Sequence, residues 1–148
     1  MNELNRPLDE QGVIDALLAA LRAGAPVGWA RVRLDVWANV TAYEIAASAQ
    51  DSHGRFAGEV RLPEVTRELV ALRDEMYEPA RGAWLSARFV VNREGEPEVS
   101  FNYDDDPQWS PQLQPGQFVR DLEAYPRAED RVPQWMRDVV ARAEPGGN

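Results

Sequence analysis

The stretch FNYDDDPQW, residues 101–109, contains the side chains of this chain that are best suited to metal binding or catalysis. Asp104, Asp105 and Asp106 follow a strand-like segment and precede Pro107. Carboxylate oxygens bind hard cations, but this run lacks the alternating spacing and the glycine of a calcium loop. Adjacent strand residues also point to opposite faces, which does not favour a catalytic carboxylate pair. A metal-dependent hydrolase using Asp104 and Asp106 stays open as an alternative, beside a solvated strand end and a protein-binding surface.

The rest of the sequence offers little for catalysis. It contains one histidine and neither cysteine nor lysine, and no serine-hydrolase, zinc-protease, phosphate-loop or dinucleotide-binding motif. Most nucleophilic and general-base arrangements cannot be built from such a set. We therefore expect a protein that is not an enzyme and that needs neither a cofactor nor a metal ion.

The charge of the chain points to a basic protein partner. The net charge is −9, and the segment 94–119 has six acids and no arginine. The negative charge argues against nucleic acid as a ligand, because phosphate binding needs concentrated basic side chains. The electrostatic field of the same charge attracts a basic protein. Tryptophans are frequent interface anchors. The predicted partner-binding residues are Trp84, Glu96, Glu98, Asp104, Asp105, Asp106 and Trp109.

The periodicity of the apolar residues predicts an α+β fold. Helical spacing precedes three segments of alternating residues, and a second helix is followed by two further strands and two short C-terminal helices. Pro63 is expected to open the second helix. The prediction is a five-stranded, mainly antiparallel sheet with helices packed on one face, in the order α-β-β-β-α-β-β-α-α. We expect a single domain over residues 1–148, with an ordered core of about 8–143.

The location is predicted from what the sequence lacks. The N-terminal residues do not show the basic start and apolar core of a signal peptide. No apolar run approaches the roughly 18 residues of a membrane span. We therefore expect a cytoplasmic protein, and the sequence does not determine whether it is a monomer or a homodimer.

Several short motifs follow one another along the chain. They are Trp84, Gly95, the F-x-Y-D group (Phe101, Tyr103, Asp104), the Tyr-Pro-Arg group (Tyr125, Pro126, Arg127) and the Pro-x-Trp group (Pro133, Trp135). Together they resemble bacterial immunity proteins of the YezG type. The resemblance covers the chain from about Val13 to Val140. It implies an antitoxin that neutralises a cognate toxin domain, such as a nuclease or another secreted polymorphic toxin. The family supplies no catalytic residues. A protein-binding adaptor unrelated to toxins has the same sequence features and remains a further alternative.

Overall fold

The computed structural model describes residues 9–143 and confirms the predicted α+β fold. The five strands form one antiparallel sheet with the order β3-β2-β1-β4-β5. The predicted sequence of helices and strands is also confirmed, with an additional short 3₁₀ helix at Glu129–Arg131. The elements are α1 (Glu10–Ala23), β1 (Arg31–Asn39), β2 (Ala42–Gln50), β3 (Phe56–Gly58), α2 (Thr66–Met76), β4 (Ser86–Asn92), β5 (Glu98–Asn102), α3 (Pro115–Ala124) and α4 (Gln134–Ala141).

The described residues divide into two compact units. The first unit contains residues 9–33, 47–76 and 89–98, and the second contains residues 34–46, 77–88 and 99–143. Helix α1 packs against α2 in the first unit, and α3 packs against α4 in the second. None of the helices within residues 9–143 has the length and apolar character that crossing a membrane requires.

Helix α1 illustrates how the sequence sets the limits of an element in the first unit. Its N-cap Asp9 accepts a hydrogen bond from the Gly12 N–H at 2.6 Å, which satisfies one of the free donors of the first turn. Four apolar residues at helical spacing are buried: Val13, Ile14, Leu17 and Leu21. The helix ends at Gly24, where an added Cβ would lie 1.9 Å from the Arg61 carbonyl oxygen. Only glycine fits that contact.

Two predicted details of the fold are wrong. Helix α2 begins at Thr66 rather than at Pro63. The apolar residues Phe56, Val60 and Leu62 predict a third strand that reaches Leu62, but the strand ends at Gly58. Its pairing with β2 is irregular and involves only Ala49 and Gln50. Strand β3 is therefore a short edge element that pairs with the C-terminal end of β2.

Candidate functional site

The three aspartates form a loop directly after β5, here called the acidic loop (Asp104–Asp106). The side chain of Asn102, the last residue of β5, organises this loop. Its Oδ1 accepts hydrogen bonds from the backbone N–H groups of Asp104 at 3.3 Å and Asp105 at 2.9 Å. Its Nδ2 donates to the Asp105 carbonyl at 2.8 Å and to Ser86 Oγ on β4 at 3.0 Å. One amide therefore fixes the turn and ties it to the sheet.

A buried arginine holds the base of the acidic loop. The Arg127 side chain is only 2% exposed. Its Nη2 donates to the carbonyl oxygens of Tyr103 at 2.6 Å and Ala83 at 3.2 Å. Gly82 makes room for it, because a Cβ there would lie 2.5 Å from Arg127 Nε, and Gly82 also has a positive φ of 87°. A buried guanidinium carries its charge at low cost only when carbonyls or carboxylates accept its hydrogens.

Two tryptophans bind the backbone of the same region. Trp135 of α4 donates its indole N–H to the Asp104 carbonyl at 2.7 Å. Trp37 of β1 donates to the Pro107 carbonyl at 2.8 Å. Asp106 Oδ1 accepts the Gln108 N–H at 2.9 Å, and Gln108 adopts a positive φ of 59°. The backbone from Tyr103 to Gln108 is thus held by side chains from several elements of the second unit.

The carboxylates of the acidic loop point to solvent. All three aspartates are exposed, and the Asp104 side chain retains 77% of its accessible surface. Asp104 Oδ1 lies 3.7 Å from Arg127 Nη1, an ion pair that solvent screens on the carboxylate side. The backbone is therefore fixed while the negative charges remain available to a partner.

A groove of about 310 Å³ adjoins the acidic loop in the second unit. Aromatic side chains of Trp109, Phe118 and Trp135 line it, and Asp106 and Arg142 supply charged groups. Phe118 and Trp135 pack edge to face, with ring centroids 5.8 Å apart. The wall thus joins apolar surface to one carboxylate and one guanidinium.

Two predicted site residues, Glu96 and Glu98, belong to the first unit. Glu98 makes an ion pair with Arg31 at 3.2 Å and accepts a hydrogen bond from Asn92 Nδ2 at 3.1 Å. Glu96 is exposed, and its backbone carbonyl accepts from the same Asn92 amide at 2.9 Å. Glu98 is therefore engaged within its own unit, whereas the Glu96 carboxylate is open to solvent.

The structure corrects the prediction for Trp84 and restricts that for Trp109. Trp84 has no exposed surface and packs against Phe101, with ring centroids 5.6 Å apart. It is a core residue of the segment before β4, where its neighbours Ala83 and Leu85 are buried as well, so the alternation of a strand does not apply at its position. Trp109 is 9% exposed and reaches a partner only through the groove it lines.

The metal-dependent alternative finds no geometric support in residues 9–143. Within that range, no three histidine or acidic side chains converge closely enough to hold a metal ion. Asp106 uses one carboxylate oxygen in the turn to Gln108, and Asp104 faces Arg127. These two carboxylates are thus each engaged by a different neighbour.

The sequence analysis gave no role to the residues that hold the acidic loop. Arg127 and Trp135 stand in the motifs that carry the family resemblance, but nothing in their spacing indicates that they bind the Tyr103 and Asp104 carbonyls. An Asn two residues before an Asp run is the available local signal, because Asn side chains often bind nearby backbone groups.

Comparison with known proteins gives no family assignment. No protein-family model matches the chain, and no curated protein matches it significantly. The resemblance to immunity proteins of the YezG type stays a prediction. The fold and the site define an α+β protein with a fixed, solvent-facing acidic loop beside an aromatic groove.

Proposed function

We propose that this protein is an immunity protein that binds and neutralises a cognate bacterial toxin domain in the cytoplasm by stoichiometric contact. The toxin is a nuclease or another secreted polymorphic toxin with a basic surface. The observation that carries the proposal is the acidic loop, whose backbone is held by Arg127, Trp135 and Asn102 while its carboxylates face solvent. A fixed loop loses little conformational entropy on binding, so more of the contact energy remains as affinity.

Charge supports a basic partner for this surface. The net charge of −9 attracts a basic domain over a distance, and the acidic loop adds a local concentration of carboxylates. A nuclease has a basic substrate cleft because it binds phosphates. We infer that Asp104, Asp105 and Asp106 make the central contacts. Glu96 assists attraction from the first unit, and Trp84 is excluded because it is buried.

The test of the function is co-expression with the C-terminal domain of the protein that the neighbouring upstream gene encodes. Growth rescue together with co-purification of a complex is the expected result. A soluble toxin domain that still kills the cells, and that does not co-purify, contradicts the pairing. A complex without rescue favours an adaptor that binds the domain without neutralising it.

The test of the binding surface is charge neutralisation. The variant Asp104→Asn/Asp105→Asn/Asp106→Asn removes three negative charges and keeps side-chain oxygens that accept the turn hydrogen bond. We expect association at low salt to slow by roughly tenfold or more, with a flatter salt dependence. The control Glu59→Gln/Glu75→Gln/Glu123→Gln removes the same charge at exposed positions outside the acidic loop. Equal effects of the two triple variants on association would refute the contact assignment and leave only a role for net charge.

A further inference from the structure

The groove beside the acidic loop lies wholly within the second unit, where residues of α3, α4 and the segment before α3 line it. Two residues join it to the acidic loop. Asp106 belongs to the loop and also lines the groove. Trp135 lines the groove while its indole N–H binds the Asp104 carbonyl at 2.7 Å. A partner that sits on the acidic loop therefore also covers the groove.

The aromatic walls of the groove are fixed before any partner binds. Trp109 and Phe118 are 9% and 8% exposed. The Trp135 ring is held by its hydrogen bond to the Asp104 carbonyl and by its edge-to-face contact with Phe118. The volume of about 310 Å³ is at the lower end of ligand pockets, which measure about 300–1,000 Å³. The groove thus offers a preformed space for one ring-sized group, which loses little entropy on binding.

The wall carries one charge of each sign. Asp106 supplies a carboxylate and Arg142 a guanidinium, and the other lining residues are neutral. No ion pair joins these two side chains in the part of the chain that the structure describes. A cationic occupant would be repelled by Arg142, and an anionic one by Asp106 and by the net charge of −9. The groove therefore favours a neutral group that donates to a carboxylate and accepts from a guanidinium.

The indole N–H of Trp109 gives a second indication of a ligand. This nitrogen is buried, and within residues 9–143 no protein group accepts its hydrogen bond. Buried donors in native proteins are nearly always satisfied, so this exception needs an explanation. The Trp135 N–H, in contrast, already has an acceptor in the Asp104 carbonyl. A ligand oxygen that enters the groove beside Trp109 would satisfy the remaining donor.

We propose that the groove binds a tyrosine side chain of the toxin domain that sits on the acidic loop, an assignment that rests on the function proposed above. The phenol ring provides apolar surface to pack against Phe118 and Trp135. Its hydroxyl group is both a donor and an acceptor. It therefore donates to Asp106 and accepts from the Trp109 N–H or from Arg142.

Other side chains match the groove less well. Phenylalanine and leucine cover the apolar wall but leave the Trp109 donor unsatisfied, and tryptophan offers a donor alone. Charged side chains meet a like charge and also lose hydration in an apolar groove. Amides and small hydroxyl side chains have a donor and an acceptor but no ring to cover the aromatic wall. Tyrosine is also enriched at protein interfaces and among their hot spots.

The first test uses this chain alone with two probes that differ by one hydroxyl group. N-acetyl-tyrosinamide and N-acetyl-phenylalaninamide are titrated into ¹⁵N-labelled protein, and NMR records the indole N–H signals of the five tryptophans. The Trp109 signal should shift saturably, and that of Trp29 in the first unit should not. The tyrosine probe should bind at least about fivefold more tightly, as one net hydrogen bond implies. Equal affinities, or no saturable Trp109 shift up to the solubility limit of the tyrosine probe, would overturn the proposal.

Two variants assign the preference for the tyrosine probe to the groove, with binding followed by the Trp135 signal. Trp109→Phe keeps a ring and removes the N–H, so the preference should fall by roughly twofold or more. Trp29→Phe is the matched control, because it changes a buried indole of the first unit and should leave the preference unchanged. Arg142→Gln alters an exposed side chain and should also weaken the preference, with the exposed Arg67→Gln as its control. An unchanged preference in both groove variants would refute the assigned hydrogen bonds.

A competition experiment separates failure of the groove from failure of the proposed function. The toxin domain that rescues growth should displace the tyrosine probe. Trp109→Phe should speed dissociation of that domain and leave the salt dependence of association unchanged, since no charge is altered. A toxin domain that binds while the probe stays bound would refute the partner assigned to the groove. If no toxin complex forms but the probe still shifts the Trp109 signal, the proposed function and this partner are refuted, whereas the phenol-binding site is supported.

Discussion

Replacement of Arg127 by methionine should destabilise the protein strongly, because this side chain is buried and its guanidinium binds several carbonyls. It is 2% exposed and donates to the carbonyl oxygens of Tyr103 and Ala83. Both residues are buried, with 5% and 2% of their surface exposed. A hydrogen bond to a charged group contributes about 1.5–3 kcal/mol, and its loss leaves a buried carbonyl without this donor.

The two buried acceptors together give an expected loss of about 3–5 kcal/mol in the free energy of unfolding. The ion pair with Asp104 adds about 0–1 kcal/mol at most, because that carboxylate is 77% exposed. Arg127→Lys keeps the charge but loses the planar fork that reaches two carbonyls, so an intermediate loss is expected.

The assay is urea unfolding followed by the fluorescence of the five tryptophans. The midpoint should fall while the slope stays constant, because the same surface is exposed on unfolding. Arg67→Met serves as a control, since Arg67 is an exposed residue of α2, and it should change stability by less than about 0.5 kcal/mol. A loss below about 1 kcal/mol for Arg127→Met would refute the assigned role of its hydrogen bonds.

Two further predictions concern a core residue and a turn. Trp84→Ala should lower the free energy of unfolding by about 3–5 kcal/mol, and Trp84→Phe by less, because Trp84 is fully buried; an unchanged urea midpoint would contradict its place in the core. The backbone N–H groups of Arg55 and His53 lower the pKa of Asp51 below its ordinary value of 3.8. This contribution to stability is present above the unfolded-state pKa and is lost as pH falls through the lower folded-state pKa. The melting temperature of Asp51→Asn should therefore lie below that of the wild type near neutral pH, and this difference in melting temperature should narrow below about pH 3.8. A difference that stays constant with pH in thermal unfolding would contradict the prediction.

The order of helices and strands was predictable from the sequence, because the spacing of apolar residues and the residues that begin or end an element are local properties of the chain. Asp9 and Gly24 mark the ends of α1, and the alternation of Val32, Leu34 and Val36 marks β1. The start of α2 was not predictable from Pro63 alone. Proline is favoured in the first turn of a helix, but it also occurs in the extended segment before one.

The site was only partly predictable, because burial depends on what lies above each face of a strand. The acidic loop is recognisable from three consecutive aspartates, and its exposure follows from their charge. Trp84 was predicted to bind a partner, yet it lies before β4 in a run of three consecutive buried residues, where strand alternation does not apply.

The acidic loop divides its residues into those that hold the backbone and those that present charge. The donors to its backbone carbonyls, Arg127 and Trp135, come from the C-terminal segment and contribute to folding. The carboxylates lie in solvent, where single charges contribute little to stability. Neutralising the aspartates should therefore change association with a partner and leave the urea midpoint nearly unchanged. Replacing Arg127 or Trp135 should instead lower the urea midpoint. If the urea midpoint of the aspartate variant is as low as that of Arg127→Met, the carboxylates stabilise the fold. The assignment of the acidic loop as a binding surface is then refuted.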